Sequence, residues 1–277
     1  MCNKFVLVSD SEIIGSRFRT TSHKSEPFVA PSYAVGCGDA TYVITAESPY
    51  ELQAIQFGMT PYMAKAPMNL INARAEGDKN ASNDPNYRGP NQIFLKKAFM
   101  KPIQSQRCLV LADAYYEWSA AKKPYVVYLQ NKERPFAFAG IYDRWENPGT
   151  GEILTSFAII TTTANSMLQS LGVKRMPVIL SKGEERDWLK DTLPLAWVLK
   201  MLKPLDPRKM NAYPVADIIN SMQANNPDMI RPIGERLQSE ANLLSRDAYF
   251  KKQNHRKYVE PGPPLGERKI PGQSPDI

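Results

Sequence analysis

Seven short runs of β-branched and aromatic residues, each bounded by turn-forming residues, constrain this chain more than anything else in it: 5–8 (FVLV), 41–45 (TYVIT), 107–111 (RCLVL), 125–129 (YVVYL), 136–141 (FAFAGI), 157–162 (FAIITT) and 177–180 (PVIL). Runs of this length and composition read as strands. Connections such as 132–135 (KERP) are too short for a parallel crossover, which takes a dozen or more residues, so most neighbouring strands must pair antiparallel. Helix-compatible stretches at 49–56, 91–100, 164–171, 183–190, 194–202 and 215–223 lie between them. The combination predicts an α+β fold, a mainly antiparallel sheet flanked by helices.

With 277 residues, 43% of them hydrophobic and 23% charged, the chain has enough apolar material for a sizeable core, and wholesale disorder or a fibrous class is excluded. One domain is expected over residues 1–235. Residues 236–277 are expected to finish a terminal helix (228–253) and then run on as a basic, Pro/Gly-rich tail (259–277) that is extended or disordered. Segment 76–90 (EGDKNASNDPNYRGP) reads as a long surface loop. No stretch of about 18 apolar residues is present, and MCNKFVLVSDSE has neither the basic start nor the long apolar run of a signal peptide. A cytoplasmic monomer without membrane contact is the expectation.

Cys2, Cys37 and Cys108 lack metal-ligand spacing, and His23 and His255 sit in polar surroundings. No metal, cofactor or disulfide framework is expected. The formal charge of +7 suits a polyanionic partner, although Lys251, Lys252, Arg256, Lys257, Arg268 and Lys269 place part of that excess in what is equally readable as a solubilising tail.

Position 2 carries distinctive chemistry. An initiator methionine is normally removed before a residue as small as cysteine, which would leave Cys2 with a free α-amine and a thiol on adjacent carbons. Such a 1,2-aminothiol condenses with an aldehyde to an imine and closes a thiazolidine ring. With an ordinary pKa of about 7.7 to 8.0, roughly a tenth to a fifth of the amine is neutral at pH 7. A cysteine behind a start codon is also readable as incidental.

Three further segments bear on that choice: FGMTP (57–61) followed by NARAE (72–76), ADAYYEW (112–118) after the run 107–111, and KRMPVIL (174–180) after FAIITTTAN (157–165). With MCNKF at the start, their order and intervals resemble the SRAP family, the SOS-response-associated peptidases, from Met1 to about residue 235. The resemblance implies a single α+β domain with a barrel-like curled sheet and a basic channel for single-stranded DNA, in which the N-terminal cysteine bonds to the aldehyde of an abasic deoxyribose. It implies a bacterial protein that joins the nucleoid on damage.

By motif, Cys2 would be the nucleophile, Asn72 a polar positioning residue and Glu117 an acid/base group that protonates the sugar's ring oxygen. Arg74 and Arg175 would grip the DNA backbone with their bidentate forks, the alternative being an ion pair with Glu76 or Glu117. Lys4 stands where the family usually has arginine. Phe57, Gly58 and Met59 stand where it shows Trp-Gly-Leu, so Phe57 is either a wedge stacking on bases or a core residue.

One departure matters chemically. Family members usually carry a histidine two residues before the Arg-Met-Pro arginine, whereas SLGVKRMP offers Val173 or, aligned from the other side, Gly172. Neither moves a proton, which implies slowed strand chemistry or adduct reversal, or else a degenerate relative that binds single-stranded or damaged DNA without covalent chemistry. A thiol autopeptidase that removes Met1 is a third reading, although no base for the thiol is apparent.

Overall fold

The computed structural model describes residues 3–22, 29, 31–130, 134–220 and 225–239. The strands, in chain order, are β1 (Phe5–Leu7), β2 (Thr21–Ser22), β3 (Ser32–Val35), β4 (Ala40–Thr45), β5 (Glu51–Phe57), β6 (Asn72–Arg74) and β7 (Arg107–Ala112). They continue with β8 (Ala114–Trp118), β9 (Pro124–Leu129), β10 (Phe136–Glu146), β11 (Ile153–Thr163), β12 (Arg175–Pro177), β13 (Ile179–Leu180) and β14 (Met210–Pro214). The α-helices are α1 (Ser11–Phe18), α2 (Lys97–Ser105), α3 (Ser166–Gln169), α4 (Lys182–Leu189) and α5 (Leu195–Met201).

The fold is α+β, as expected, and its larger sheet closes on itself. β4 pairs antiparallel with β5 and β7, β7 with β10, and β10 with β11. β11 then returns to β5 through the parallel pairs Ser156↔Gln56 and Phe157↔Phe57. Closure of this kind removes free edges. A second, antiparallel sheet has the order β14-β9-β8-β1-β3. Aromatic rings knit the two sheets together: Phe5 on β1 meets Phe57 at 5.7 Å and Phe138 at 5.9 Å, and Tyr115 on β8 meets Phe138 at 5.7 Å, edge to face as ring quadrupoles favour.

Helix ends are anchored by side chains. Asp10 caps α1 by accepting from Ile13 N (2.8 Å), and Ser181 with Glu184 forms a capping box at the start of α4. Arg107, the first residue of β7, is fully buried. Its guanidinium donates to the carbonyls of Ile103 (3.0 Å) and Gln104 at the end of α2, and to those of Trp188 (2.7 Å) and Lys190 at the end of α4. One cation therefore satisfies the orphan carbonyls of two helices.

Several expected helices differ. Of residues 49–56, 51–56 belong to β5 instead: Leu52, Ile55 and Phe57 are buried and the strand completes the ring between β4 and β11, so tertiary pairing overrides local pattern. The 91–100 helix starts as a 3-10 turn (Ile93–Leu95) before α2. In 215–223 the described part is a 3-10 turn, Asp217–Asn220. Of 228–253, residues 228–239 hold only the end of a 3-10 turn (Pro227–Ile230), and the rest lies outside the described residues, as does the tail 259–277. The loop 76–90 is pinned to the body at its start, where Glu76 and Asn80 are buried and the Asn80 amide pairs both ways with the backbone of Asp84. The chain divides into a compact unit, Met1–Leu237, and a remainder, Gln238–Ile277.

Candidate functional site

β8 carries the ADAYYEW motif between β1 and β9. Glu117 pairs with Tyr125 across to β9 and is only 1% exposed. Burial raises its pKa from an ordinary 4.5 to about 7, because taking a carboxylate out of water disfavours its charged form. A group poised there is part acid and part base at neutral pH, as proton transfer demands. Its neighbour Tyr116 donates to Tyr33 O (2.7 Å), with its phenol pKa pushed up by burial.

β1 lies along β8 in the register Phe5↔Tyr115 and Val6↔Ala114, and Tyr116 N donates to Lys4 O (3.1 Å). Followed backward from Phe5, the chain therefore runs toward the Glu117 end of β8. Asp113 clamps the other end of β1, accepting from Val8 N (2.7 Å), Ser9 N (2.8 Å) and Ser9 Oγ (2.6 Å). Sequence reasoning did not single out Asp113; a lone carboxylate between the apolar strands RCLVLA and AYYEW was the available signal. Lys4 Nζ donates to Ile219 O (2.9 Å). Cys2 lies outside the described residues.

The second cluster forms around β11. β6 runs parallel to it with Asn72↔Ile159 and Arg74↔Thr161, and β12 flanks its other edge with Thr163↔Arg175. Asn72 and Arg74 are half-buried, whereas Ala73 between them is fully buried, the alternation of a strand. Arg175 and Glu76 are each 2% exposed and share an ion pair, Nη2 to Oε2 at 2.8 Å. The same nitrogen reaches Thr161 O (2.7 Å) and Thr161 Oγ1 (3.1 Å). Burial, aided by the charge of Arg74, pulls the Arg175 pKa below its usual value, and Glu76 opposes them. Arg175 Nη1 is buried and has no hydrogen-bond partner among the described residues.

Phe57 belongs to the core. Its ring is fully buried and stacks on Phe157 at 5.1 Å, which leaves no face for a base. Gly58 follows with φ +110°, and a Cβ there would come within 2.9 Å of Cys37 Sγ, so any side chain at this position would be strained. Val173 is buried in the main core, and Gly172 has φ +79°; the place of the expected histidine holds no ionisable group. Lys174, next to it, is exposed. Among the described residues no cluster of side chains is arranged to hold a metal, and no helix is long and apolar enough to cross a membrane.

A ring-closed barrel fused to a second sheet, with a buried acid on β8 and arginines beside β11, defines a class. The chain belongs to the SOS response associated peptidase (SRAP) family, whose model matches residues 1–222. It is 33% identical over 240 residues to the abasic site processing protein YoqW of Bacillus subtilis, which covers 83% of this chain and 99% of that protein. It is 32% identical over 240 residues to the abasic site processing protein YoaM of the same organism, 83% of this chain and 97% of the other. Among solved structures, a protein from Bacteroides thetaiotaomicron superposes with a TM-score of 0.72 at 29% identity, covering 84% of this chain and all of the other.

Proposed function

We propose that this chain captures abasic sites in single-stranded DNA as a covalent adduct of Cys2. The observation that carries the reading is Glu117: a carboxyl with a pKa near 7, held on the strand along which the chain runs back toward residue 2. Its proton opens the closed sugar to its aldehyde. The α-amine of Cys2 then adds to the carbonyl and water departs to leave an imine. The thiol adds across that C=N bond, sulfur to carbon and proton to nitrogen, so the thiazolidine forms with net loss of one water and no redox change. Asn72 would orient the sugar, and Lys4 and Arg74 would hold flanking phosphates. Arg175 is buried against Glu76 and Thr161, so its part would be to hold β6 and β12 in place beside β11.

The names of the Bacillus relatives support the reading. The test is incubation with an oligonucleotide bearing one abasic site, followed by denaturing electrophoresis and intact-mass measurement of the N-terminus. We expect a denaturant-stable band from a protein lacking Met1, none from Cys2→Ala, and a band formed about 100-fold or more slowly by Glu117→Gln. A band of unchanged intensity from Cys2→Ala would overturn the proposal.

The burial of Val173 favours a second reading, a non-covalent binder of single-stranded or damaged DNA. Salt-sensitive binding without any stable band identifies it. Should the adduct form, the absent histidine predicts slow reversal when the abasic strand is displaced, and release as fast as in histidine-bearing relatives would rule that out.

A further inference from the structure

A cleft of about 990 Å³ opens between α1, the turn after β4 and α4. It shares no residue with the site around Glu117, Asn72 and Arg175. Its wall carries five cationic side chains, Arg17, Arg19, Lys182, Arg186 and Lys190, against two acids, Glu185 and Asp191. One acid is already engaged: Glu185 takes a bidentate pair from Arg17 at 2.8 and 3.0 Å. Lys190 is paired outside the cleft, with Asp187 at 2.6 Å. Arg19 and Arg186 are exposed, and neither forms an ion pair among the described residues. Positive charge without an ion-pair partner among the described residues, set in a concave wall, concentrates anions.

The floor is apolar and partly aromatic. Phe18, Ile44, Leu109 and Leu189 line it, and the Arg17 guanidinium lies over the Phe18 ring at 4.4 Å, its plane held by the Glu185 fork. Tyr50 contributes a ring that is 71% exposed. An apolar lining beside cations, with an exposed tyrosine to stack on, matches a ligand that is itself a planar ring joined to phosphate.

We propose that this cleft is a second binding site, for nucleoside phosphate, its phosphates between Arg19 and Arg186 and its base against Tyr50 and the apolar floor. The same chemistry is offered by a free nucleotide and by a unit of a single strand, and the two are separable. The test uses the full chain and two probes, a fluorescent oligothymidylate without any abasic site and thymidine 3′,5′-bisphosphate, with affinity measured across a salt series. Arg19→Gln/Arg186→Gln removes two surface charges. Each phosphate contact on a single strand contributes about 0.7 to the slope of log K against log salt, so we expect the oligonucleotide slope to become about 1.4 less steep and affinity to fall about tenfold or more at low salt. Loss confined to the oligonucleotide identifies a strand site, and loss of bisphosphate binding identifies a free-nucleotide site. Arg186→Glu alone, in the middle of an exposed helical face, repeats the measurement should the double variant fold poorly. Equal affinity and equal salt slope in wild type and variants, for both probes, overturns the proposal.

Discussion

At the scale of the residue, the burial of the Glu117 carboxyl opposes stability. Its carboxyl ionises near pH 7 in the folded chain instead of at 4.5, so burial costs nothing below the unfolded value, where the group is protonated in both states, and stability is lost as pH rises from there through about 7. The difference corresponds to about 3 kcal/mol at alkaline pH. Glu117→Gln should therefore be nearly as stable as wild type at pH 4 and about 3 kcal/mol more stable at pH 9, read from urea midpoints at the two values; equal midpoints at pH 9 would contradict the burial argument. What the sequence could say about these residues was uneven. NARAE, YYEW and RMP marked the segments, but the sequence left Glu76 and Glu117 both open as ion-pair partners for Arg74 or Arg175; the Arg175–Glu76 pair follows from β6 and β12 flanking β11. The depth of Glu117, and the commitment of Phe57 to a stack on Phe157, its partner where β5 meets β11, come from tertiary packing, which no local pattern encodes.

Among elements, the decisive joint is the pair of helix ends gathered by Arg107. Four carbonyls, from α2 and from the end of α4, converge on one buried guanidinium, and replacing it by leucine leaves those acceptors without donors. Hydrogen bonds to charged groups contribute about 1.5 to 3 kcal/mol each and are not additive. Arg107→Leu should cost about 3 kcal/mol or more in urea denaturation; a loss below about 1 kcal/mol would mean that water replaces the cap. In sequence this arginine reads only as the first residue of a strand. β5 was hidden for a related reason: Ser48 and Pro49 look like a helix start, and only the pairing to β4 on one side and β11 on the other shows that ELQAIQF is a strand. The long runs that became β7, β10 and β11 were legible because their burial on both faces makes them continuously apolar.

For the whole molecule, the compact unit ends at Leu237, whose N–H still bonds Ala212 O at 2.8 Å. A chain stopped after residue 239 should unfold in one transition with a midpoint within about 2 °C of the full chain, followed by circular dichroism; a drop of about 10 °C or a second transition would assign the remainder a structural share. The α+β class and the antiparallel bias followed from strand lengths and short connections. The barrel-like closure was implied by the family resemblance and not by local pattern, because the parallel β5–β11 contact joins segments about a hundred residues apart. That contact has a consequence for how such a chain can diversify. In an open sheet, an inserted residue can be absorbed by sliding one outer strand. In a ring, every strand is counted against two others, so a slip anywhere has to be matched all the way round. Length changes are thus steered away from β4, β5, β7, β10 and β11 and into the segments between β5 and β6 and between β6 and α2, where novelty can accumulate without unzipping the wall.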